Sequence, residues 1–141
     1  MGTLAEGSFT IDSWDETTVD ERDDGTRLNK ASIVQNYSGD IDGSSKVEYL
    51  MLHAADKSAR FLGFETVQAS IGGKQGSFVL QHDGKFSIGV ASSTFKVVSG
   101  SGRGGLMNIS GSGSFTSTGE GASDYKFEYN ADSSEDQVGT A

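Results

Sequence analysis

The stretch Gly100–Phe115, GSGRGGLMNISGSGSF, decides between two folds, because Gly100, Gly102 and Gly105 spell the Gly-x-Gly-x-x-Gly of a dinucleotide-binding turn. Such a turn needs a strand before it and a helix after it, whose first turn meets the pyrophosphate, with an acid about 20 residues further on. Gly105 is instead followed by LMNISGSGSF, where Gly111 and Gly113 weaken any helix and Ile109 and Phe115 read as strand residues. The glycines therefore mark a corner of a sheet, a bulge or a place where backbone meets backbone.

On both sides of this corner, short runs of β-branched and aromatic residues alternate with clusters of Gly, Asp, Asn and Ser, and no 3.6-residue apolar stripe persists. Eight strands are predicted: Ala5–Trp14, Arg27–Ser38, Ser45–Ala54, Ala59–Ile71, Gly76–His82, Lys85–Val98, Met107–Thr116 and Asp124–Ala131. Asp42-Gly43, Asp56-Lys57, Gly73-Lys74 and Asp83-Gly84 are the predicted hairpin turns. Sequential hairpins give a meander. Eight such strands close without leaving an edge and enclose an interior wide enough for side chains or one small ligand. The predicted fold is all-β, a closed eight-stranded antiparallel up-and-down barrel.

The chain has 141 residues, the size of one domain, with 20 glycines and no proline. Residues 1–131 are assigned to the barrel, 15–26 to an acidic loop between the first two strands, and 132–141 to a disordered acidic tail. Eleven Lys and Arg against 20 Asp and Glu give a formal charge of -9, which repels nucleic acid and anionic membranes. The absence of cysteine excludes disulfides, thiol nucleophiles and thiolate metal sites. The first residues lack the pattern of a signal peptide and no apolar run has the length of a membrane span, so a cytoplasmic location is expected. No cofactor motif is present. DIDGSSKVEY imitates a calcium loop, but the position of the bidentate acid falls on Tyr49. The predicted registers put His53 and His82 on opposite faces, so no metal site is expected.

With those turns, Tyr37 faces Glu48, Glu48 faces Glu65 and Glu65 faces His82, a polar row across four strands with Gln35 beside it. Ile33, Leu50, Leu52, Phe61, Val67, Phe78 and Leu80 share its face. If that face lines the lumen, two adjacent carboxylates cannot both ionise cheaply and His82 supplies compensating charge, a poised acid–base site. If it points outward, the same residues are a solvated ladder worth little. The opposite face is also apolar, with Val34, Val47, Tyr49, Met51, Leu62 and Phe64, and whichever face is external needs a cover, most simply self-association as a dimer or trimer. Ser87, Gly89, Ala91 and Ser93, small residues on the row's side, suit a narrow lumen.

The segments YSGDIDGSSKVEYLM, FLGFE, GKQGSFVLQHDGKF and SGSGRGGLMNISGSGSF resemble a family of small uncharacterised bacterial proteins whose barrel is grouped with the plant allene oxide cyclases. The resemblance spans Glu6 to Ala131, with GSFVLQHDG its most specific part, and implies the same closed meander barrel without a function. The cyclases bind an unsaturated fatty-acid epoxide in the lumen with a glutamate assisting, a part that Glu65 or Glu48 would take here. Their pocket also uses a proline and a cysteine, which this chain lacks. Three functions follow. The first is a barrel binding an apolar or amphipathic small molecule through Gln35, Tyr37, Glu48, Glu65 and His82. The second is a cofactor-independent isomerase, cyclase or lyase with catalytic candidates Glu65, His82 and Glu48. The third is a structural protein with a filled core.

Overall fold

The computed structural model describes residues 2–118 and 123–131, and the predicted tail at 132–141 lies outside them. The described chain forms β1 (Thr3–Glu21), β2 (Arg27–Gly39), β3 (Ile41–His53), β4 (Ala59–Ile71), β5 (Lys74–Ser87), β6 (Val90–Val97), the two-residue β7 (Arg103–Gly104), β8 (Ser110–Ser117) and β9 (Ser123–Asn130). The hydrogen-bonded order β4-β3-β2-β1-β9-β8-β6-β5 is closed by the β4–β5 ladder, with β7 added on β5. Eight long antiparallel strands thus make a closed up-and-down barrel. Among the described residues no helix is long and apolar enough to cross a membrane.

Alternation of burial along each strand fills the interior. On β9, Tyr125, Phe127 and Tyr129 turn inward and Asp124, Lys126 and Glu128 outward. Phe78, Phe127 and Tyr129 stack in one group, while Phe9, Tyr37, Phe115 and Tyr125 pack edge-on or tilted in another. The glycine stretch is a corner, as predicted. It runs from β6 through β7 against Gly76-Ser77, and then drops Leu106 and Ile109 into the core. They close the end of the barrel that carries the β4–β5 turn.

Asp56-Lys57 lies in the β3–β4 connection as predicted, and the other three predicted turns are displaced. Asp42-Gly43 lies inside β3, opposite Ser70 and Ala69. The chain reverses instead around Asp40, where Gly39 adopts φ 97° and the Asp40 carboxylate accepts a hydrogen bond from the Glu6 amide. The β3–β4 connection spans residues 54–58, with Lys57 at φ 74°. The next reversal is Gly72-Gly73, since Ile71 pairs with Lys74. Asp83-Gly84 is in mid-strand. A Cβ on Gly84 would stand 2.2 Å from the Phe61 ring, so glycine there makes room for an aromatic in the lumen.

The β5–β6 reversal falls at Ile88-Gly89, both with positive φ, as in a type I′ turn. Ile88 is 97% exposed and β-branched at φ 52°, a backbone region that disfavours it. Ile88→Asn creates the Asn-Gly pair this turn favours and should raise stability by about 1 kcal/mol in urea unfolding. An unchanged or lowered midpoint would contradict the turn assignment.

Two further predictions are corrected. The acidic segment 15–26 is not a loop: Asp15–Glu21 continue β1 and pair with Arg27–Ser32, leaving a turn at 22–26. On β3 the faces are exchanged. Val47, Tyr49 and Met51 are buried, whereas Leu50 and Leu52 join Leu62 and Phe64 as exposed apolar residues on the outer wall.

Candidate functional site

Of the expected polar row, Tyr37, Glu65 and His82 come together in the barrel interior. Glu65 lies opposite Leu80 and His82 opposite Gly63, so the two meet diagonally across the β4–β5 ladder. His82 Nε2 is 2.6 Å from Glu65 Oε1, the Tyr37 hydroxyl donates to Glu65 Oε2, and His82 Nδ1 lies 3.0 Å from Ser93 Oγ. All four residues are buried. Burial first, and then the charge and acceptance of Glu65, push the Tyr37 hydroxyl well above its ordinary pKa, so it stays a donor. Burial and the same carboxylate raise Tyr49 as well.

Glu48 is not part of this group. The displaced β2–β3 turn puts it opposite Ser32 on the outer wall, where it accepts a 2.8 Å hydrogen bond from the Ser32 hydroxyl. The side-by-side carboxylates therefore do not exist. Gln35 is buried one step away from Tyr37 along β2 and accepts from Ser45. His53 and His82 both turn to the interior side, contrary to the predicted registers, but belong to separate clusters. Among the described residues no three His, Asp or Glu side chains are gathered as a metal would need.

Ser93, His82 and Glu65 imitate the order of a hydrolytic triad, yet the chemistry they can do is restricted by enclosure. Ser93 Oγ also reaches the Thr94 and Asp83 carbonyl oxygens at 3.1 and 3.4 Å. Ser93 Oγ is thus shared between His82 Nδ1 and backbone carbonyls, and the imidazole bridges Ser93 and Glu65. A general acid or base must reach the proton it transfers. The Glu65 and His82 side chains are each 1% exposed, and the rings of Tyr49, Phe95 and Phe115 pack on the imidazole.

The accessible interior lies at the other end of the barrel, where the β1–β2, β3–β4 and β5–β6 connections gather. Phe9 is the last β1 residue paired with β9, and beyond it β1 pairs with β2. In that notch lies a cavity of about 240 Å³, with Ile11 and Trp14 on one side, Ser117 and Ser123 on the other, and Ile33, Met51, Phe61, Phe86 and Ala91 around it. Gln35 and Tyr49 also line it. Depressions of about 670 and 720 Å³ indent the outer wall, but they are walled by surface residues such as Lys96, Glu128, Asp42 and Gln68.

The polar edge of the cavity is a constellation that the sequence reading did not single out. Glu16 Oε1 accepts from the Trp14 indole N–H at 2.9 Å, and Oε2 accepts from the Asn29 amide at 2.5 Å and contacts His53 Nε2 at 2.9 Å. Partial burial raises the Glu16 pKa, but hydrogen bonds from Asn29, Trp14 and His53 outweigh it, and the carboxyl titrates below its ordinary 4.5. A register shift between Ile11 and Ser13 is what brings Glu16 there. Before it Phe9 and Ile11 face the lumen; after it Trp14 and Glu16 do, because a bulge exchanges the two faces of a strand. The β-branched Thr17-Thr18-Val19 within the acidic run is the sequence signal for this continued strand.

Residues 5–129 match the model of the family described as "Protein of unknown function (DUF3224)". A crystal structure of a protein with unknown function from that family, from Shewanella oneidensis MR-1, is 28% identical, with a TM-score of 0.74 over 94% of this chain and 98% of the other. No curated protein matches the chain.

Proposed function

The chain belongs to the DUF3224 family of proteins of unknown function, and from that premise we propose that it is a small-molecule-binding barrel whose ligand enters the mouth cavity rather than the centre of the lumen. The observation that carries this reading is a recessed, apolar-walled volume of about 240 Å³, open at the mouth of a core that is elsewhere filled by aromatic rings. A dry cavity of roughly 150 Å³ is enough for benzene, and drug-sized sites begin near 300 Å³. The fitting ligand is therefore a compact apolar body of one or two rings, or a short branched chain. Gln35 contributes a polar group to the wall. Tyr37, Glu65 and His82 support the floor through Tyr49 and Phe115, which touch His82 and line the cavity.

The test is an NMR titration with toluene and indole, following the Trp14 indole N–H and the Met51 methyl group. Saturable shifts are expected in the wild type. They should be lost in Ala91→Phe, which fills the cavity from β6, while the remaining amide spectrum stays that of the folded barrel. Linear, non-saturating shifts up to the solubility limit of both probes would overturn the reading.

A further inference from the structure

The chemistry at the rim of the cavity restricts the ligand further, given that the binding site proposed above exists. The charged group fixed at the rim calls for a donor or a positive charge. The Glu16 carboxylate is held by Trp14, Asn29 and His53 and opens onto the cavity. Asn29, 6% exposed and behind the cavity wall rather than on it, donates through Nδ2 to Glu16 and helps to hold the carboxylate in place. The Trp14 ring, half exposed beside the carboxylate, offers a face to a cation. Asp12, Asp15, Asp20 and Glu21 on the same strand add negative field, within a chain of formal charge -9. Of the titratable side chains lining the cavity, Glu16, Tyr49 and His53, only His53 can carry positive charge; Arg27, opposite His53 in the ladder, does not line it.

We propose that the ligand is a primary or secondary amine bound as its ammonium, with the apolar body in the cavity and the nitrogen at Glu16, donating to the carboxylate. An anionic head group would meet the Glu16 charge with no lining cation except a protonated His53. A neutral alcohol would gain a hydrogen bond but no ion pair, and charge-assisted hydrogen bonds are roughly twice as strong as neutral ones.

Three matched probes test this: 2-phenylethylamine, 2-phenylethanol and 3-phenylpropanoate, titrated at pH 7 and low salt against the wild type and Glu16→Gln, with toluene as reference. The amine should bind the wild type about tenfold more tightly than the alcohol. The carboxylate should bind more weakly than the alcohol. Glu16→Gln should bring amine and alcohol to parity, and added salt should erode the amine preference of the wild type. The comparison within the wild type stands even if the variant folds poorly. Equal binding of amine and alcohol, tighter binding of the carboxylate, or an amine preference that survives Glu16→Gln would overturn the head-group inference while leaving the cavity reading intact. Saturable binding of none of the four probes would remove the cavity reading itself.

Discussion

Glu65→Ala is expected to cost about 3–5 kcal/mol of folding stability, because it leaves the buried Tyr37 hydroxyl without its side-chain partner and the buried His82 with Ser93 alone. A domain of this size has roughly 5–15 kcal/mol in total, so the variant should unfold at much lower urea or fail to accumulate as folded protein. His82 has Glu65 and Ser93 as its side-chain partners, and the Tyr37 hydroxyl has Glu65 alone. Enclosure by aromatic rings keeps water from replacing the lost carboxylate. The triple replacement Tyr37→Phe, Glu65→Leu, His82→Leu removes the polar group as a unit and should recover much of the loss, since apolar substitutes for a buried charged network are often neutral or better. If Glu65→Ala shifts stability by less than about 1 kcal/mol, the network does not bear on the core as described.

The second large effect is at the closed end of the barrel. Leu106 is fully buried, carried into the core by the glycine-rich corner. Leu106→Ala should cost about 2–5 kcal/mol, the range for truncating a core leucine where the surroundings relax little. Urea unfolding measures it directly. Had the Gly-x-Gly-x-x-Gly opened a nucleotide site, Leu106 would stand at the start of a helix beside the phosphates. In the barrel it follows the Arg103–Gly104 strand that pairs with β5, and the turn is held by a hydrogen bond from the Gly105 amide to the Gln75 carbonyl oxygen. A loss under about 1 kcal/mol would mean that the corner is peripheral to the core.

The barrel was legible because its strands carry strong β signals bounded by turn residues. Ala59–Ile71 has the predicted limits, and Tyr125, Phe127 and Tyr129 alternate cleanly with charged neighbours. β3 was not legible, for a physical reason. Val47, Tyr49 and Met51 on one face and Leu50 and Leu52 on the other are equally apolar, so periodicity cannot choose and the choice falls to turn placement. In this barrel the β2–β3 turn lies away from Asp42-Gly43 and the β3–β4 connection around Asp56-Lys57 spans 54–58 rather than two residues, and each difference exchanges the faces of β3. For β2 against β4 the two exchanges cancel. That is why Tyr37, Glu65 and His82 still converge while Glu48 leaves for the outer wall, and why Ser93 stays on the inner side. Glu16 escaped because a bulge interrupts β1 and because six acids within ten residues ordinarily describe a solvated loop.

In the proposed binding mode small molecules enter at the mouth and the buried Glu65–His82 pair stays closed. A crystal structure of the protein soaked in bromobenzene, with the bromine located by its anomalous signal, tests this most directly. Bromine is expected among Met51, Phe86 and Ala91, with the Tyr37–Glu65 and Glu65–His82 contacts unchanged. Bromine beside Glu65 with those contacts opened, or a mouth cavity that stays empty at saturating bromobenzene, would contradict it.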